Sequence, residues 1–164
     1  MNENLDIYDG NRVKTGKVIE RKDGENIKEN EFVLVVQCWI LNSKKEILLT
    51  QRRLDKTNGG MWEATSGLVQ AGENSIEGIK RELKEEIGLD IDINDLKLLK
   101  TVKEGNTFRD VYTLNKDIPI ENINFSDGEV IGAKYVTAQE FEQMIDSGEA
   151  FEWSRWFVND YEKI

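Results

Sequence analysis

Hydrophobic residues recur at every third or fourth position between residues 74 and 89, which is the period of an amphipathic helix. The apolar positions that we expect to face the core are Ile76, Ile79, Leu83 and Ile87. Asn74 is a candidate N-cap, and Glu77 follows three residues later in the capping-box relation. The pattern predicts a helix that begins near Ser75 and ends at Gly88, where a glycine suits a left-handed cap.

Stretches rich in β-branched and aromatic residues predict strands elsewhere in the chain. One stretch covers residues 31–41, and a turn-like Asn-Ser-Lys sequence joins it to a second stretch at 46–52. Together these two stretches predict a central hairpin. Further strands are predicted at 61–66, 96–103, 107–114 and 129–136, a short hairpin at 12–21, and turns at the Asp-Gly pairs 9–10 and 23–24.

The C-terminal part of the chain is predicted to be mainly helical. Thr137 and Glu140 form a second capping box, which predicts a helix over 138–145. The pattern at 151–164 predicts an amphipathic helix whose aromatic residues pack in the core. Since a chain of 164 residues normally makes one domain, and neither a linker nor a repeat interrupts it, we predict a single α/β (α+β) domain over 1–164.

Net charge and the absence of histidine narrow the range of functions. Lys and Arg total 22 against 32 Asp and Glu, so the net charge of −10 disfavours nucleic acid polymers and favours a small phosphorylated substrate. The chain contains no histidine, which excludes Ser/His/Asp hydrolases and histidine-ligated zinc enzymes. Carboxylates and a metal ion must therefore carry the chemistry, with lysine, tyrosine or water available as proton carriers.

Cysteine content and hydropathy bear on the cellular location. Cys38 is the only cysteine and lies in an apolar run, so we expect a buried thiol and neither a disulfide nor a multi-cysteine zinc site. No apolar run reaches the roughly 18 residues that span a bilayer, and the first ten residues lack the basic and apolar segments of a signal peptide. We expect a soluble, cytoplasmic protein without a membrane partner.

Three carboxylates are spaced so that a helix would gather them on one face beside the apolar stripe. Glu82, Glu85 and Glu86 are three and four residues apart. Like charges so placed repel one another unless a hard divalent cation lies among them, and Mg²⁺ and Mn²⁺ prefer oxygen ligands of this kind. The spacing predicts a metal site, and a solvated helix face is the alternative for a run of charges.

These glutamates belong to a longer pattern over residues 67–89. Its fixed positions are Gly67, Glu73, Arg81, Glu82, Leu83, Glu85, Glu86, Gly88 and Leu89. Every position resembles the signature of the Nudix pyrophosphohydrolases. The resemblance implies an α/β/α sandwich with a mixed sheet between helices. It also implies that water attacks a phosphorus of a nucleoside diphosphate linked to another group, assisted by Mg²⁺ or Mn²⁺.

The Nudix resemblance assigns roles within this segment, which we call the box. The implied metal ligands are the carboxylates of Glu82, Glu85 and Glu86 and the carbonyl oxygen of Gly67. One of the three glutamates could also act as the base. Glu73 and Arg81 are implied to form an ion pair that orients the catalytic residues.

Four residues outside the box are further candidates. Glu129 stands just before a predicted strand, where many Nudix proteins place an extra glutamate that reaches the metals or acts as base; a simple turn is the alternative. Arg52 and Arg53 suit phosphate oxygens, and strand alternation directs only one of them at the substrate. Trp62 could stack on a base, with core packing as the alternative.

The resemblance extends more weakly beyond the box, towards the isopentenyl-diphosphate-isomerase-like branch of the family. It rests on residues 5–9, 15–16, 47–53 and 61–62. True isomerases of that branch use a cysteine and histidines near 58–66, which contains neither, so we expect a hydrolase. Two rival functions stay open, a non-catalytic nucleotide-binding module and an isoprenoid diphosphate enzyme. Nudix proteins often dimerise, and no feature of the sequence decides between a monomer and a homodimer.

Overall fold

The computed structural model describes residues 4–22, 27–125 and 128–161 of the chain. These parts contain nine β-strands and three α-helices. In chain order they are β1 (Asn4–Tyr8), β2 (Lys14–Glu20), β3 (Val33–Leu41), β4 (Ile47–Arg52), β5 (Trp62–Glu63), β6 (Thr65–Leu68), α1 (Ser75–Ile87), β7 (Leu96–Glu104), β8 (Thr107–Asn115), β9 (Val130–Val136), α2 (Ala138–Asp146) and α3 (Arg155–Asp160). This mixture of strands and helices confirms the predicted α+β class.

The strands form two sheets. β1 and β2 make a two-stranded sheet, and the other seven strands make one sheet with the order β5-β4-β3-β8-β7, in which β6 also pairs with β3 and β9 with β4. No helix in the described parts of the chain is both long enough and apolar enough to cross a bilayer.

Contacts between residues divide the chain into two compact units. The first comprises Met1–Cys38, Ser66–Glu82 and Ile91–Thr113. The second comprises Trp39–Thr65, Leu83–Asp90 and Leu114–Ile164. Because β3, β8 and α1 each contribute residues to both units, the boundary does not fall between secondary-structure elements. The single domain over 1–164 stays a prediction.

The first unit begins with a hairpin that is longer than the sequence predicted. β1 pairs with β2 in antiparallel fashion, so the hairpin starts well before the predicted range 12–21. Leu5 and Ile7 are two residues apart on β1, so their side chains lie on the same face of the strand, and both are buried. β1 therefore has a core-facing side, although polar residues flank it. The predicted Asp-Gly turn at 9–10 lies between β1 and β2, whereas the pair at 23–24 lies outside the described residues.

Predictions for the strands are largely confirmed. β3 and β4 pair as an antiparallel hairpin, with Ile40 opposite Leu48 and Leu41 opposite Ile47. β7, β8 and β9 occupy the later predicted positions. The single strand predicted at 61–66 is wrong: β5 and β6 replace it, because β5 pairs with β4 whereas β6 pairs with β3.

The second unit has an aromatic core around Trp39. The ring of Phe157 stacks on Trp39 with centroids 3.9 Å apart and 7° between the planes, and Phe141 packs against the same indole at 5.6 Å. Thr137 caps α2 through the predicted capping box with Glu140. These contacts bury α2 and the C-terminal segment against the end of β3.

The C-terminal segment differs from the continuous helix predicted over 151–164. Residues Glu152–Ser154 form a 3₁₀ turn, and α3 then covers only Arg155–Asp160. Phe157 is fully buried, whereas Trp153 and Trp156 keep partial exposure. The prediction that all these aromatics lie in the core is therefore only partly correct.

Candidate active site

The N-terminus of α1 is fixed by the predicted capping box. The side-chain oxygen of Asn74 accepts hydrogen bonds from the backbone amides of Ile76 and Glu77 at 2.9 and 3.0 Å. In return, the carboxylate of Glu77 accepts from the Asn74 amide at 2.7 Å. Gly88 ends the helix at φ 71°, a left-handed conformation that favours glycine. The predicted bounds of this helix are confirmed.

The apolar stripe of α1 is shorter than the sequence predicted. Ile79 and Leu83 are 0 % exposed and Ile87 is 2 % exposed, as expected for a core-facing stripe. Ile76 is 39 % exposed, so its assignment to the core was wrong. It lies in the first turn of the helix, and burial begins one turn later.

Gly67 lets a carboxylate approach the backbone of β6 closely. A Cβ atom added to Gly67 would lie 2.1 Å from the carboxyl carbon of Glu82 and 2.2 Å from its Oε1 atom. Any side chain larger than hydrogen would therefore displace the carboxylate of Glu82. This contact explains physically why a glycine is needed at this position of the box.

Glu73 and Arg81 form the expected ion pair. Nε and Nη2 of Arg81 donate to Oε1 and Oε2 of Glu73 at 2.8 and 3.0 Å, which is a bidentate arrangement. The Gln70 amide also donates to Glu73, at 2.9 Å. Burial raises the pKa of Glu73, but the Arg81 guanidinium and the Gln70 amide outweigh it, so the pKa lies below its usual value.

Arg81 links this ion pair to the metal-ligand candidate Glu82. Its Nη1 atom donates to Oε1 of Glu82 at 2.7 Å, and its Nη2 atom donates to the carbonyl oxygen of Leu68 at 2.8 Å. The Arg81 side chain is 17 % exposed and that of Glu82 13 %. The structure thus brings together Gly67, Glu73, Arg81 and Glu82 in the first unit.

Glu85 and Glu86 lie on the same helix, three and four residues after Glu82. Glu86 is 8 % exposed, and Glu85 is partly exposed. Within the described residues, no three acidic, cysteine or histidine side chains converge into a group that could hold a metal ion. Glu82 instead accepts a hydrogen bond from Arg81. The metal site therefore stays a prediction.

The chemistry of the residues themselves fits a hard divalent cation. Carboxylates are the oxygen ligands that Mg²⁺ and Mn²⁺ prefer, and three of them project from α1 within two turns. The absence of a side chain at Gly67 lets the carboxyl of Glu82 lie against the backbone of β6.

The two arginine candidates of the second unit both form ion pairs. Nη1 of Arg52 donates to Oε1 of Glu63 at 2.6 Å. Nε and Nη2 of Arg53 donate to the carboxylate of Asp55 at 2.5 and 2.9 Å, and its Nη1 donates to the carbonyl oxygen of Gly128. The side chain of Arg53 is 46 % exposed and that of Arg52 31 %. Both arginines thus lie beside carboxylates, and their assignment as phosphate ligands stays a prediction.

Glu129 and Trp62 each contact a lysine that sequence reasoning missed. The ammonium of Lys56 donates to Oε1 of Glu129, whose side chain is 44 % exposed. Lys134 places its ammonium 4.3 Å from the centroid of the Trp62 ring, within range of a cation–π interaction. No signal in the sequence singles out these lysines, because both partners are distant along the chain.

Comparisons with known proteins identify the family of the chain. Residues 31–157 match the NUDIX domain family. A Nudix hydrolase of Listeria monocytogenes is 31 % identical over 149 residues, which cover 90 % of this chain and 87 % of that protein. An 8-oxo-dGDP phosphatase of Danio rerio is 30 % identical over 106 residues, covering 64 % of this chain and 31 % of that protein.

A solved structure supports the same assignment over almost the entire chain. The crystal structure of DR0079 from Deinococcus radiodurans superposes with a TM-score of 0.80 and 25 % identity, covering 96 % of this chain and 98 % of that one. The fold class predicted from the resemblance is thereby confirmed, whereas the isomerase-like branch stays a prediction. Since the matched domain covers most of the chain and the box is complete, the chain belongs to the Nudix family and is a Nudix hydrolase.

Proposed function

We propose that this hydrolase cleaves the phosphoanhydride bond of a small substrate in which a nucleoside diphosphate is linked to another group, and that it requires Mg²⁺ or Mn²⁺. The observation that carries the proposal is the approach of the Glu82 carboxyl to Gly67, with Arg81 and Glu73 bracing it. In this arrangement a carboxylate and a guanidinium lie together against the backbone of β6, which supports binding of a cation and a diphosphate here.

Four groups are proposed to hold the cation. They are the carboxylates of Glu82, Glu85 and Glu86 and the carbonyl oxygen of Gly67. A bound divalent ion supplies charge neutralisation for the diphosphate and makes the attacking water more acidic. Glu82 would then exchange its hydrogen bond with Arg81 for the cation.

The residues around these ligands would orient them and accept a proton. Arg81 also donates to Glu73 and to the Leu68 carbonyl oxygen, and these two contacts would hold its guanidinium when Glu82 turns. One of the three α1 glutamates, or Glu129, is the proposed base that accepts the proton of the attacking water. For Glu129 this role would require its release from Lys56.

Substrate contacts are proposed for Arg52, Arg53 and Trp62. Arg53 has the more exposed guanidinium, which supports contact with phosphate oxygens. The face of Trp62 already attracts the Lys134 ammonium, so it could equally accept a nucleobase. The net charge of −10 supports a small substrate over a nucleic acid polymer, and this activity suits the cytoplasmic location expected from the sequence.

The test is a panel of substrates with the purified protein. Nucleoside di- and triphosphates, nucleotide sugars, ADP-ribose, 8-oxo-dGDP and isopentenyl diphosphate are incubated with Mg²⁺ or Mn²⁺, and release of phosphate and pyrophosphate is measured. We expect cleavage of one class of nucleotide, loss of activity in EDTA and recovery when the metal is restored. Folded, metal-loaded protein that cleaves nothing in the panel would instead support a non-catalytic nucleotide-binding module.

A further inference from the structure

The N-terminal hairpin contacts the box, although it precedes the part of the chain that matches the family. β1 and β2 end at Glu20, whereas the family match begins at residue 31. We define the box loop as residues 68–73, which lead from the last residue of β6 towards α1. Within the first unit, the Ala71 amide donates to the Asn4 carbonyl oxygen at 2.7 Å. The hairpin is thus attached to the box by its backbone.

A charged pair makes the second attachment. Oδ2 of Asp6 accepts from the backbone amide of Gly72 at 2.9 Å and from the ammonium of Lys14 at 2.6 Å. The same ammonium donates to the carbonyl oxygen of Glu73 at 3.2 Å. Since Asp6 lies on β1 and Lys14 on β2, both strands of the hairpin hold the box loop through this pair.

Within the Asp6–Lys14 pair, the carboxylate is partly sheltered from solvent and the ammonium is exposed. The side chain of Asp6 is 14 % exposed and that of Lys14 is 42 % exposed. Hydrogen bonds to ionised groups are stronger than those between neutral groups, and partial burial limits their screening by salt. Gly72 has φ 92°, so the loop adopts a conformation at this point that a glycine permits and that the Asp6 carboxylate caps.

Apolar packing holds the other end of the box loop. Leu5 and Ile7 of the hairpin form a buried cluster with Val33, and Leu68 packs against that cluster. The carbonyl oxygen of Leu68 is the acceptor for Nη2 of Arg81. The hairpin therefore contacts the box loop at Leu68, where the loop begins, and again near its end.

A continuous set of contacts leads from the hairpin to the proposed metal ligand. Asp6 and Lys14 hold Gly72 and the backbone of Glu73. The Glu73 carboxylate receives two hydrogen bonds from Arg81, and Arg81 donates to Glu82. A shift of the box loop would therefore move the Glu73 carboxylate, and with it the guanidinium that contacts Glu82.

We propose that Asp6 is a positioning residue for hydrolysis: together with Lys14 it fixes the box loop so that Glu73 holds Arg81 beside Glu82. The inference rests on the proposed function, since it assumes that the box glutamates carry the activity. Asp6 does not touch the reacting atoms in this account. Asp6 affects kcat only through the position of Glu73, so the effect of changing Asp6 should disappear when the Glu73 carboxylate is removed.

The experiment is a double-mutant cycle between Asp6 and Glu73 on the full chain. We expect Asp6→Ala to lower kcat roughly tenfold, because misplacing a catalytic group by a fraction of an ångström is costly. Asp6→Asn keeps an oxygen acceptor for the Gly72 amide and should stay within about threefold of the wild type. In a Glu73→Ala background, Asp6→Ala should cause no further loss, because the group through which it acts is absent.

A matched control separates positioning from general damage to the hairpin. Lys17 also lies on β2 and pairs with Glu31 at 2.7 Å, with a side chain 39 % exposed, but it makes this contact away from the box loop. We expect Lys17→Met to leave kcat unchanged and Lys14→Met to lower it as Asp6→Ala does. Circular dichroism of each variant checks that the fold is retained.

Hydrogen exchange provides a measurement that does not depend on activity. Asp6→Ala should speed exchange of the Gly72 amide, which loses its acceptor, whereas Lys17→Met should leave that rate unchanged. If the wild type is active but Asp6→Ala alters neither kcat nor this exchange rate, the positioning role is refuted while the proposed function stands. Equal losses of kcat from Asp6→Ala with and without Glu73 would also refute it. An inactive wild type with faster Gly72 exchange in Asp6→Ala would refute the proposed function and leave only the loop contact.

Discussion

Replacing Gly67 with alanine should strongly lower kcat by displacing the Glu82 carboxyl. The added Cβ would lie 2.1 Å from the Glu82 carboxyl carbon, and ordinary contact begins at 3.4 Å, so the carboxyl must retreat by about 1.3 Å. The three atoms nearest the new methyl group all belong to Glu82. A retreat of this size breaks the 2.7 Å hydrogen bond from Arg81 to Glu82.

Two magnitudes follow from that displacement. A hydrogen bond between charged groups contributes roughly 1.5–3 kcal/mol, and for a chain of this size the melting temperature should fall by roughly 3–12 °C. A misplacement of about 1 Å in a catalytic group costs roughly 100-fold in rate. We therefore expect kcat to fall by about two orders of magnitude while the protein stays folded at 25 °C.

The assay compares Gly67→Ala with a glycine variant that has room for a methyl group. At Gly10 the nearest atoms to an added Cβ are 3.6 and 3.9 Å away, so Gly10→Ala should match the wild type in both kcat and melting temperature. The decisive comparison uses Glu82→Ala as background. There the carboxyl that obstructs the methyl group is gone, so adding Gly67→Ala should change neither quantity.

Two results would refute the reasoning about Gly67. Full activity in Gly67→Ala would mean that the close approach of Glu82 has no catalytic role. An equal loss of stability in the Glu82→Ala background would mean that the methyl group disrupts β6 itself, and the carboxyl contact would not be the reason for glycine at this position.

Three further predictions concern single side chains. Glu85→Ala should lower the metal-dependent hydrolysis rate at least roughly 100-fold with the fold intact, whereas Glu142→Ala on α2 should not change it; equal rates in the two variants would exclude Glu85 as a metal ligand. Since the folded-state pKa of Glu73 is lowered, its ion pair stabilises the protein above the unfolded pKa near 4.5 and is lost as pH falls through the folded pKa. Glu73→Gln should therefore destabilise the protein at pH 7 and reduce the dependence of the melting temperature on pH in the acid range. If the melting temperature of Glu73→Gln falls with acid as steeply as that of the wild type, this account is contradicted. Burial raises the pKa of the Cys38 thiol, so alkylation by iodoacetamide should be negligible in native protein and rapid in denaturant.

The box could be predicted from the sequence because its geometry is mostly local. Helix period, capping residues and the i, i+3 and i, i+4 spacing of Glu82, Glu85 and Glu86 depend on residues within four positions of one another. The same holds for the capping boxes at Asn74 and Thr137, which the structure contains as predicted. Strands with strong β-branched content, such as β3, were also predicted, because burial on both faces selects apolar residues at nearly every position.

Failures of prediction occurred where a partner distant in the sequence decides the conformation. The strand predicted at 61–66 divides into β5 and β6 because its two halves pair with different strands. Ile76 falls on the apolar stripe of α1, but its side chain is exposed. Its burial depends on whether another element of the fold packs against the first turn of the helix. The contacts of Lys56 with Glu129 and of Lys134 with Trp62 join residues that are far apart in the sequence. No local sequence pattern predicts such contacts.

The sequence alone determined the helix that presents the glutamates and the exclusion of histidine chemistry, because short-range periodicity and composition are sufficient for these two. It pointed to the family through the resemblance of the box pattern. Only the tertiary structure decided why position 67 requires glycine, since the restricting atom belongs to Glu82, fifteen residues later in the chain. It also decided that the hairpin of β1 and β2 holds the box loop through Asp6 and Lys14. Side-chain contacts across long sequence separations form only when the chain is folded, and the positions of the box side chains depend on them.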